Sequence, residues 1–317
     1  MSTTTDDLGI LAAQIIKDGS KSFAAAAKLF PADIRTSAHL LYAWCRHCDD
    51  VIDGQTLGFG SGLAKAHDPM RALEELRDKT QRALGGEPTQ DPIFEALRRV
   101  CARHEIPSAY PRALLDGFQM DVENRSYASI HDTLTYCYHV AGVVGIMMSM
   151  IMGARDHTVL DRANDLGLAF QLSNIARDVL DDAKLERVYL PADWLRELGV
   201  EATPAAILDA DNRLRLGKVA RRVVDEAEKY YASSLHGLGH LDLRSAWAIA
   251  AAHSIYRKIG KRVAERGAQA WDTRSATSKT AKIRSVVGAA GTALYAHSFG
   301  KLVKPEPRVG LWMRPLV

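Results

Sequence analysis

Apolar residues recur three and four positions apart along almost the whole chain, the spacing of helices that bury one face. No segment shows the strict alternation of apolar and polar residues that is typical of a half-buried strand. The pattern therefore predicts an all-α protein, with about ten helices in a single domain spanning 1–317. Helices are predicted over residues 10–30 with a break near Gly19, and over 31–53, 70–84, 92–104, 108–123, 159–182, 213–235, 243–268 and 279–296.

Breaks in the pattern mark where helices begin and end. Pro31 suits the first turn of a helix, where its missing N–H costs no hydrogen bond. A glycine-rich stretch from Gly54 to Gly62 predicts a loop after the second helix. The segment 301–317 is punctuated by prolines and is predicted to be irregular.

The longest apolar run, Val140–Gly153, is shorter than the ~20 residues that a membrane-spanning helix needs. We interpret it as a buried core helix. Its small residues over Val140–Gly145 either leave room for a tunnel or let two helices pack closely, and the sequence does not decide between these.

Composition narrows the class of protein. The chain is 47% apolar and 25% charged with a net charge of +3, which is a soluble globular composition without the excess of basic residues that indicates a nucleic-acid partner. Its first ten residues lack the basic and apolar regions of a secretory signal. Four cysteines in 317 residues do not form a disulfide framework, so we expect a cytoplasmic protein.

Two acidic clusters stand out against this background. Asp49 and Asp53 are four residues apart, so on a helix both carboxylates point the same way. Asp178 and Asp182 repeat this spacing, and Asn174 and Gln171 extend their stripe by one and two turns. Facing carboxylates repel unless cations lie between them, and hard oxygen ligands suit Mg²⁺, or alternatively Mn²⁺.

A single acidic pair of this kind more often lies on an exposed helix face with ion pairs along the helix. Two pairs, each preceded by apolar residues such as Trp44 and Phe170, favour a shared site instead. A carboxylate-bridged di-iron bundle would need Glu-x-x-His pairs beside these clusters, and the sequence has none there.

Five motifs in order resemble the squalene/phytoene synthase family: GSKSF (19–23), YAWCRHCDDVID (42–53), YCYHVAGVVG (136–145), NIARDVLDD with ERVYLP (174–191), and RSAWAIAAAHSIYRKIG (244–260). The similarity covers about Gly19 to Gly267. It implies a helical bundle around a central cavity, the class I isoprenoid synthase fold. It also implies a prenyltransferase that condenses two prenyl diphosphates head to head.

The resemblance assigns roles to individual residues. It implies that catalysis and metal binding rest on Asp49, Asp53, Asp178 and Asp182, with Asn174 as a further metal ligand and Tyr136 as a further catalytic residue. The substrate-binding residues that it implies are Ser20, Lys21, Ser22, Tyr42, Arg46, Gln171, Arg177, Arg187, Tyr189 and Tyr256.

Within the family the likeness is greatest to bacterial members that convert two geranylgeranyl diphosphates through prephytoene diphosphate to phytoene. That reaction ends with loss of a proton, so it implies Mg²⁺ but no nicotinamide. The alternatives are the formation of squalene, dehydrosqualene or hydroxysqualene from farnesyl diphosphate, and a helical lipid-binding protein without activity. Because these hydrocarbons are long, we expect peripheral contact with the cytoplasmic face of a membrane, with other carotenoid-pathway enzymes as candidate partners.

Overall fold

The structure, a computed structural model, describes residues 5–19, 21–54, 68–273, 278–300 and 306–316. Within them it has no strand, which confirms the all-α prediction. The α-helices in chain order are α1 (Thr5–Gly19), α2 (Lys21–Ala27), α3 (Ala32–Asp53), α4 (Pro69–Leu84), α5 (Pro92–His104), α6 (Ala109–Val122), α7 (Ile130–Cys137), α8 (Val143–Ile151), α9 (His157–Lys184), α10 (Ala192–Glu197), α11 (Pro204–Leu208), α12 (Arg213–Ser234), α13 (Leu243–Arg266) and α14 (Lys279–Phe299).

The predicted helices are present, and their ends differ from the prediction by a few residues at most. The structure has more helices than the ten or so predicted, partly because α10 and α11 have only six and five residues. Helices this short are below the length over which an apolar repeat can be recognised. The glycine-rich loop predicted after α3 lies almost entirely outside the described residues.

The longest helix, α9, is the centre of the bundle. It packs against α8, α12 and α13, and more than half of its 28 residues are buried. Asp156 caps its first turn by accepting a hydrogen bond from the Thr158 N–H at 2.7 Å, which satisfies one of the free N–H groups at a helix start. On the other side of the core, α3 packs against α1 and α5.

The helices α7 and α8 are joined by a π-helical turn, Tyr138–Gly142, into one continuous helix from Ile130 to Ile151. By length and composition this helix could cross a membrane, but 67% of its most apolar window is buried inside the protein. Its glycines allow a close crossing with α9: a Cβ on Gly145 would lie 2.5 Å from the Ala163 carbonyl oxygen. The helix is therefore a core element.

The C-terminal residues 306–316 contain no helix but pack firmly against α9 and α12. Arg308 donates to both carboxylate oxygens of the fully buried Asp165, at 2.9 and 2.6 Å. Trp312 is also buried, and its backbone N–H donates to the Tyr230 hydroxyl at 3.1 Å. This segment is irregular in conformation yet closes one side of the bundle.

Candidate active site

A cavity of about 470 Å³ lies between α3, α6, the helix Ile130–Ile151, α9 and α13. Its wall is mainly apolar and includes Leu41, Phe118, Val144 and Phe170. The predicted site residues that line it are Tyr42, Arg46, Asp49, Tyr136, Gln171, Asn174 and Tyr256. Sequence positions more than 200 residues apart thus meet around one space.

The cavity has a polar region and an apolar extension along α9. Asn174 lines the polar region and Val159 lines the extension, and fifteen residues of α-helix separate them by about 22 Å. Leu238 and Leu241 also line the extension. The space is therefore elongated along α9, with Arg46, Asp49 and Asp121 in the polar region and Arg162 in the mainly apolar extension.

The first acidic pair lies on α3 at the polar region. Arg46 bridges Asp49 and Asp50, at 3.0 and 2.6 Å. Burial, together with the charges of Asp53 and Asp50, raises the pKa of Asp49 to about 7 in spite of Arg46. The Asp49 side chain remains 42% exposed, so water in the cavity screens part of this effect. The buried Arg46 Nε has no hydrogen-bond partner, which leaves one donor directed at no acceptor of the protein.

The second acidic stripe lies on the last turns of α9. The Asn174 amide donates to the Gln171 side-chain oxygen at 3.4 Å, so both polar groups belong to one surface. Arg177 forms a two-point ion pair with Asp178. Burial and the charge of Asp178 raise the pKa of Asp182 well above its usual range.

Arg187 connects the two acidic stripes. It follows α9 in a tight turn in which Glu186 adopts a left-handed backbone conformation with φ of 61°. From there its Nη2 donates to Asp53 Oδ1 at 2.8 Å. The charge of Arg187 also lowers the pKa of Asp182, against the larger opposing effect of burial. The positive charge of Arg187 thus acts on both aspartate pairs.

Asp121 on α6 is a site residue that the sequence interpretation missed. Its carboxylate accepts a hydrogen bond from Tyr136 at 3.1 Å and another from Tyr189 at 2.7 Å. The two tyrosine rings stack with their centroids 4.7 Å apart. Burial raises the pKa of Asp121 to about 6, although Arg187 and the two hydroxyls oppose the shift. The only signal in the sequence is an acid between apolar residues, which is too common to single out.

Aromatic side chains form another part of the cavity wall. Phe170 and Tyr256 stack with centroids 4.4 Å apart, and both line the cavity. Tyr42 lies there too, and burial raises the pKa of its hydroxyl to about 12. It is therefore a neutral hydroxyl at physiological pH.

The remaining predicted site residues fall into two groups. Asp53, Arg177, Asp182, Arg187 and Tyr189 do not line the cavity itself but contact or electrostatically influence the groups that do, and Asp178 is paired with Arg177. Ser20 and the side chains of Lys21 and Ser22 lie outside the described residues.

The donor set suits a hard divalent cation. Its members are carboxylate and amide oxygens, and the pKa values of Asp49 and Asp182 are raised first by burial and then by the charges of neighbouring carboxylates. Within the described residues, no three His, Cys, Asp or Glu side chains already converge on one point. Mg²⁺ does not require such convergence, because it is usually bound through one or two carboxylates, water and substrate phosphates.

Comparison with known proteins gives a consistent result. The model of the squalene/phytoene synthase family matches residues 16–283. The chain is 51% identical to a 15-cis-phytoene synthase from Pantoea ananas, over 94% of this chain and 95% of that protein. It is 49% identical to a 15-cis-phytoene synthase from a Paracoccus strain, over 98% of each.

Solved structures resemble the fold. A dehydrosqualene synthase bound to a ligand superposes with a TM-score of 0.80 at 25% identity, over 90% of this chain and 96% of that one. A squalene synthase from Alicyclobacillus acidocaldarius superposes with a TM-score of 0.72 at 22% identity, over 83% and 95%. These likenesses confirm the predicted isoprenoid synthase fold.

Proposed function

The chain belongs to the squalene/phytoene synthase family, and we propose that it joins two geranylgeranyl diphosphates head to head to form phytoene. It is a prenyltransferase-type enzyme. The observation that carries the proposal is the long cavity beside α9, whose polar region is lined by Arg46, Asp49, Asp121 and Asn174 and whose mainly apolar extension runs about 22 Å from Asn174 to Val159.

The polar region suits the diphosphate groups. Mg²⁺ would be held by Asp49, Asp53, Asn174, Asp178 and Asp182, and when bound it supplies a Lewis acid that takes up the charge of the departing diphosphate. Arg46, Arg177 and Arg187 add guanidinium donors that match phosphate oxygens. The unpartnered Nε of Arg46 supports this role, because a phosphate oxygen would satisfy it.

The apolar walls suit the reacting chains. Loss of diphosphate leaves an allylic cation, which water would trap as an alcohol, and a closed apolar space excludes that water. Tyr42, Tyr136 and Tyr256 line the cavity, and aromatic rings of this kind stabilise positive charge. Ser20, Lys21 and Ser22 are proposed substrate contacts on the resemblance alone.

The proposed reaction has two stages. In the first, one diphosphate leaves, the two chains join through a cyclopropane and a proton is lost. In the second, the remaining diphosphate leaves, the ring opens and rearranges, and loss of a proton gives the central double bond. The electrons balance without a hydride donor, so we propose that no nicotinamide takes part.

A second candidate is the condensation of farnesyl diphosphate to a C30 hydrocarbon. The observation in its favour is the similarity to a solved dehydrosqualene synthase, with a TM-score of 0.80 at 25% identity. The identities of about 50% to bacterial phytoene synthases over nearly the full chain favour the C40 product.

Incubation of the purified full chain with geranylgeranyl diphosphate and Mg²⁺, followed by extraction and identification of the hydrocarbon, tests the proposal. We expect phytoene and two diphosphates released per product molecule. Parallel reactions contain farnesyl diphosphate, Mn²⁺ in place of Mg²⁺, or a chelator. A C30 product with no C40 product would favour the second candidate, and no diphosphate release from either substrate would favour a non-catalytic lipid-binding protein.

We also propose a cytoplasmic location with peripheral membrane contact and association with other carotenoid-pathway enzymes. The chemistry supports this, because the substrate carries a long apolar chain and the product is a pure hydrocarbon that would partition into lipid. No nucleic-acid partner is proposed.

A further inference from the structure

The helix α14 carries an unusual concentration of exposed apolar side chains. Of the fifteen large apolar side chains exposed among the described residues, five lie on this one helix. They are Ile283, Val287, Leu294, Tyr295 and Phe299, and they are 53–67% exposed. Isolated exposed apolar residues are common, but a concentration on one helix marks a contact surface.

Three of these residues form a narrow stripe. At 100° per residue, Ile283, Val287 and Leu294 lie within about 40° of one another around the helix axis. Tyr295 and Phe299 extend the surface on one side, with ring centroids 5.7 Å apart. We call this set the α14 outer face.

The opposite side of α14 attaches the helix to the protein through small residues. Ala289, Ala293 and Ala296 are buried and form a separate small core with Leu238 and Leu241. The helix therefore places its alanines inward and its largest apolar side chains outward, which is the reverse of an ordinary surface helix.

Leu238 and Leu241 also line the apolar extension of the cavity. They are thus shared between the cavity wall and the small core beneath α14. The α14 outer face consequently lies just one helix away from the apolar end of the candidate active site.

The charged residues of α14 have a single sign. From Lys279 to Phe299 the sequence contains Lys279, Lys282 and Arg284 and no aspartate or glutamate. Arg284 is exposed within the α14 outer face. Lys258 of α13 reaches the same helix, donating from Nζ to Ser285 Oγ at 2.8 Å. Apolar side chains with flanking cations are the pattern of helices that lie in the interface of an anionic membrane.

We propose that the α14 outer face is the surface by which this protein docks on an anionic lipid bilayer, with the apolar end of the cavity turned towards the lipid. The choice of a bilayer rests on the proposed function, since both substrate and product carry long hydrocarbon chains. A second copy of the chain fits less well, because pairing two α14 faces would bring two sets of positive charges together.

Vesicle flotation of the full chain tests the proposal. The probes are vesicles of phosphatidylcholine alone and vesicles that also contain phosphatidylglycerol. We expect binding to the anionic vesicles that weakens with added salt, and weaker binding to the neutral ones. The combined variant Ile283→Ser, Val287→Ser, Leu294→Ser should lower the affinity for anionic vesicles by about tenfold or more, because three apolar side chains no longer enter the interface.

The helix α12 supplies matched controls. Leu214 is 65% exposed and sits between Arg213 and Arg215, so Leu214→Ser removes an equally exposed apolar side chain from a basic surface elsewhere. Arg221 is also exposed on α12, and reversing its charge is the control for reversing the charge of Arg284. We expect Arg284→Glu to weaken binding, and both Leu214→Ser and Arg221→Glu to leave it close to that of the unchanged protein.

Three results would overturn the proposal. They are an absence of binding to either vesicle, equal binding by the triple variant and the unchanged protein, and equal losses in the α12 and α14 variants. A further overturning result is a dimer in lipid-free gel filtration that the triple variant dissolves, which would make the α14 outer face a self-association surface. Diphosphate release from detergent-dispersed geranylgeranyl diphosphate is measured separately. If the unchanged protein binds vesicles but releases no diphosphate, the proposed function is refuted. If the triple variant still releases diphosphate, its active site is intact.

Discussion

Arg187 and Asp53 are joined by a hydrogen bond of 2.8 Å across 134 residues of chain. Asp53 ends α3, and Arg187 follows α9, so this contact ties together the two helices that carry the acidic stripes. Neither stripe is an exposed face with ion pairs only along its own helix. The contact also places the charge of Arg187 where it opposes the rise in the pKa values of Asp121 and Asp182.

Neutralising one carboxylate of the second stripe should abolish most of the activity without unfolding the protein. We expect Asp178→Asn to lower kcat by about a hundredfold or more, because the charge that the site presents to a cation is reduced. The measurement is diphosphate release from geranylgeranyl diphosphate with saturating Mg²⁺. Asp49→Ala on α3 should behave in the same way.

Asp181→Asn is the matched control for the second stripe. Asp181 lies three residues beyond Asp178 on the same helix, but it is 60% exposed and forms an ion pair with the exposed Lys184 at 2.9 Å. We expect nearly unchanged turnover and unchanged helical circular dichroism. Full activity in Asp178→Asn, or an equal loss in Asp181→Asn, would contradict the assigned metal site.

Asp121 should matter for turnover although no motif contains it. It accepts hydrogen bonds from Tyr136 and Tyr189, so it fixes the orientation of both rings at the candidate active site. We expect Asp121→Asn to lower kcat by about tenfold to a hundredfold with a smaller change in KM, as is common when a group that orients active-site residues is changed. Steady-state kinetics with the C20 substrate checks this.

Asp116→Asn provides the comparison on the same helix. Asp116 is 52% exposed and pairs with Arg77 on the surface. Its replacement should leave kcat and KM unchanged. A pure loss of thermal stability in Asp121→Asn, without a change in kcat, would show that the tyrosine pair is structural only.

The sequence predicted the helices and the acidic stripes because both depend on local spacing. An apolar repeat and a D-x-x-x-D pair can be read within one helix. The hydrogen-bond partners of an acid cannot be predicted from local spacing. Nothing near Asp121 in the sequence indicates Tyr136 or Tyr189, which come from two other segments. Contacts of this kind depend on how the helices cross, which local spacing does not fix.

The small residues of Val140–Gly145 show the same limit. The sequence left open whether they make a tunnel or a close helix crossing, and the structure shows both. Gly145 lines the cavity, and it also approaches the backbone of α9 too closely for a side chain. Likewise, the proline-rich tail gave no local sign that Arg308 would pair with Asp165, 143 residues earlier.

Removal of the Arg308 guanidinium should destabilise the fold. Asp165 is fully buried, and Arg308 donates to both of its oxygens. Arg308→Met would leave a buried carboxylate with fewer partners, a change that typically costs about 3–5 kcal/mol. Urea unfolding, with the free energy extrapolated to water, measures the effect.

Arg71→Met tests whether any lost ion pair has this effect. Arg71 pairs with Glu75 at 3.1 Å on the surface, where both side chains are mostly exposed. Such a pair contributes about 1 kcal/mol or less. If the two variants lose similar amounts of stability, the C-terminal segment does not hold the bundle together as described.

The buried His253 should make the fold sensitive to mild acid. Burial lowers its pKa from 6.5 to about 4, and its Nε2 lies 3.1 Å from the Tyr231 carbonyl oxygen. Because the folded pKa is lower than the unfolded one, the unfolded chain binds the proton more readily. This contribution to stability is therefore complete above pH 6.5 and is lost as the pH falls towards 4.

In His253→Gln the side-chain amide can donate the same hydrogen bond and does not titrate. We expect the unchanged protein to lose on the order of 2–3 kcal/mol more than this variant between these pH values. The measurement is the urea unfolding midpoint of each protein across the pH series. The control is His297→Gln, on the exposed part of α14. If the midpoints of all three proteins change in parallel with pH, His253 is not the group responsible.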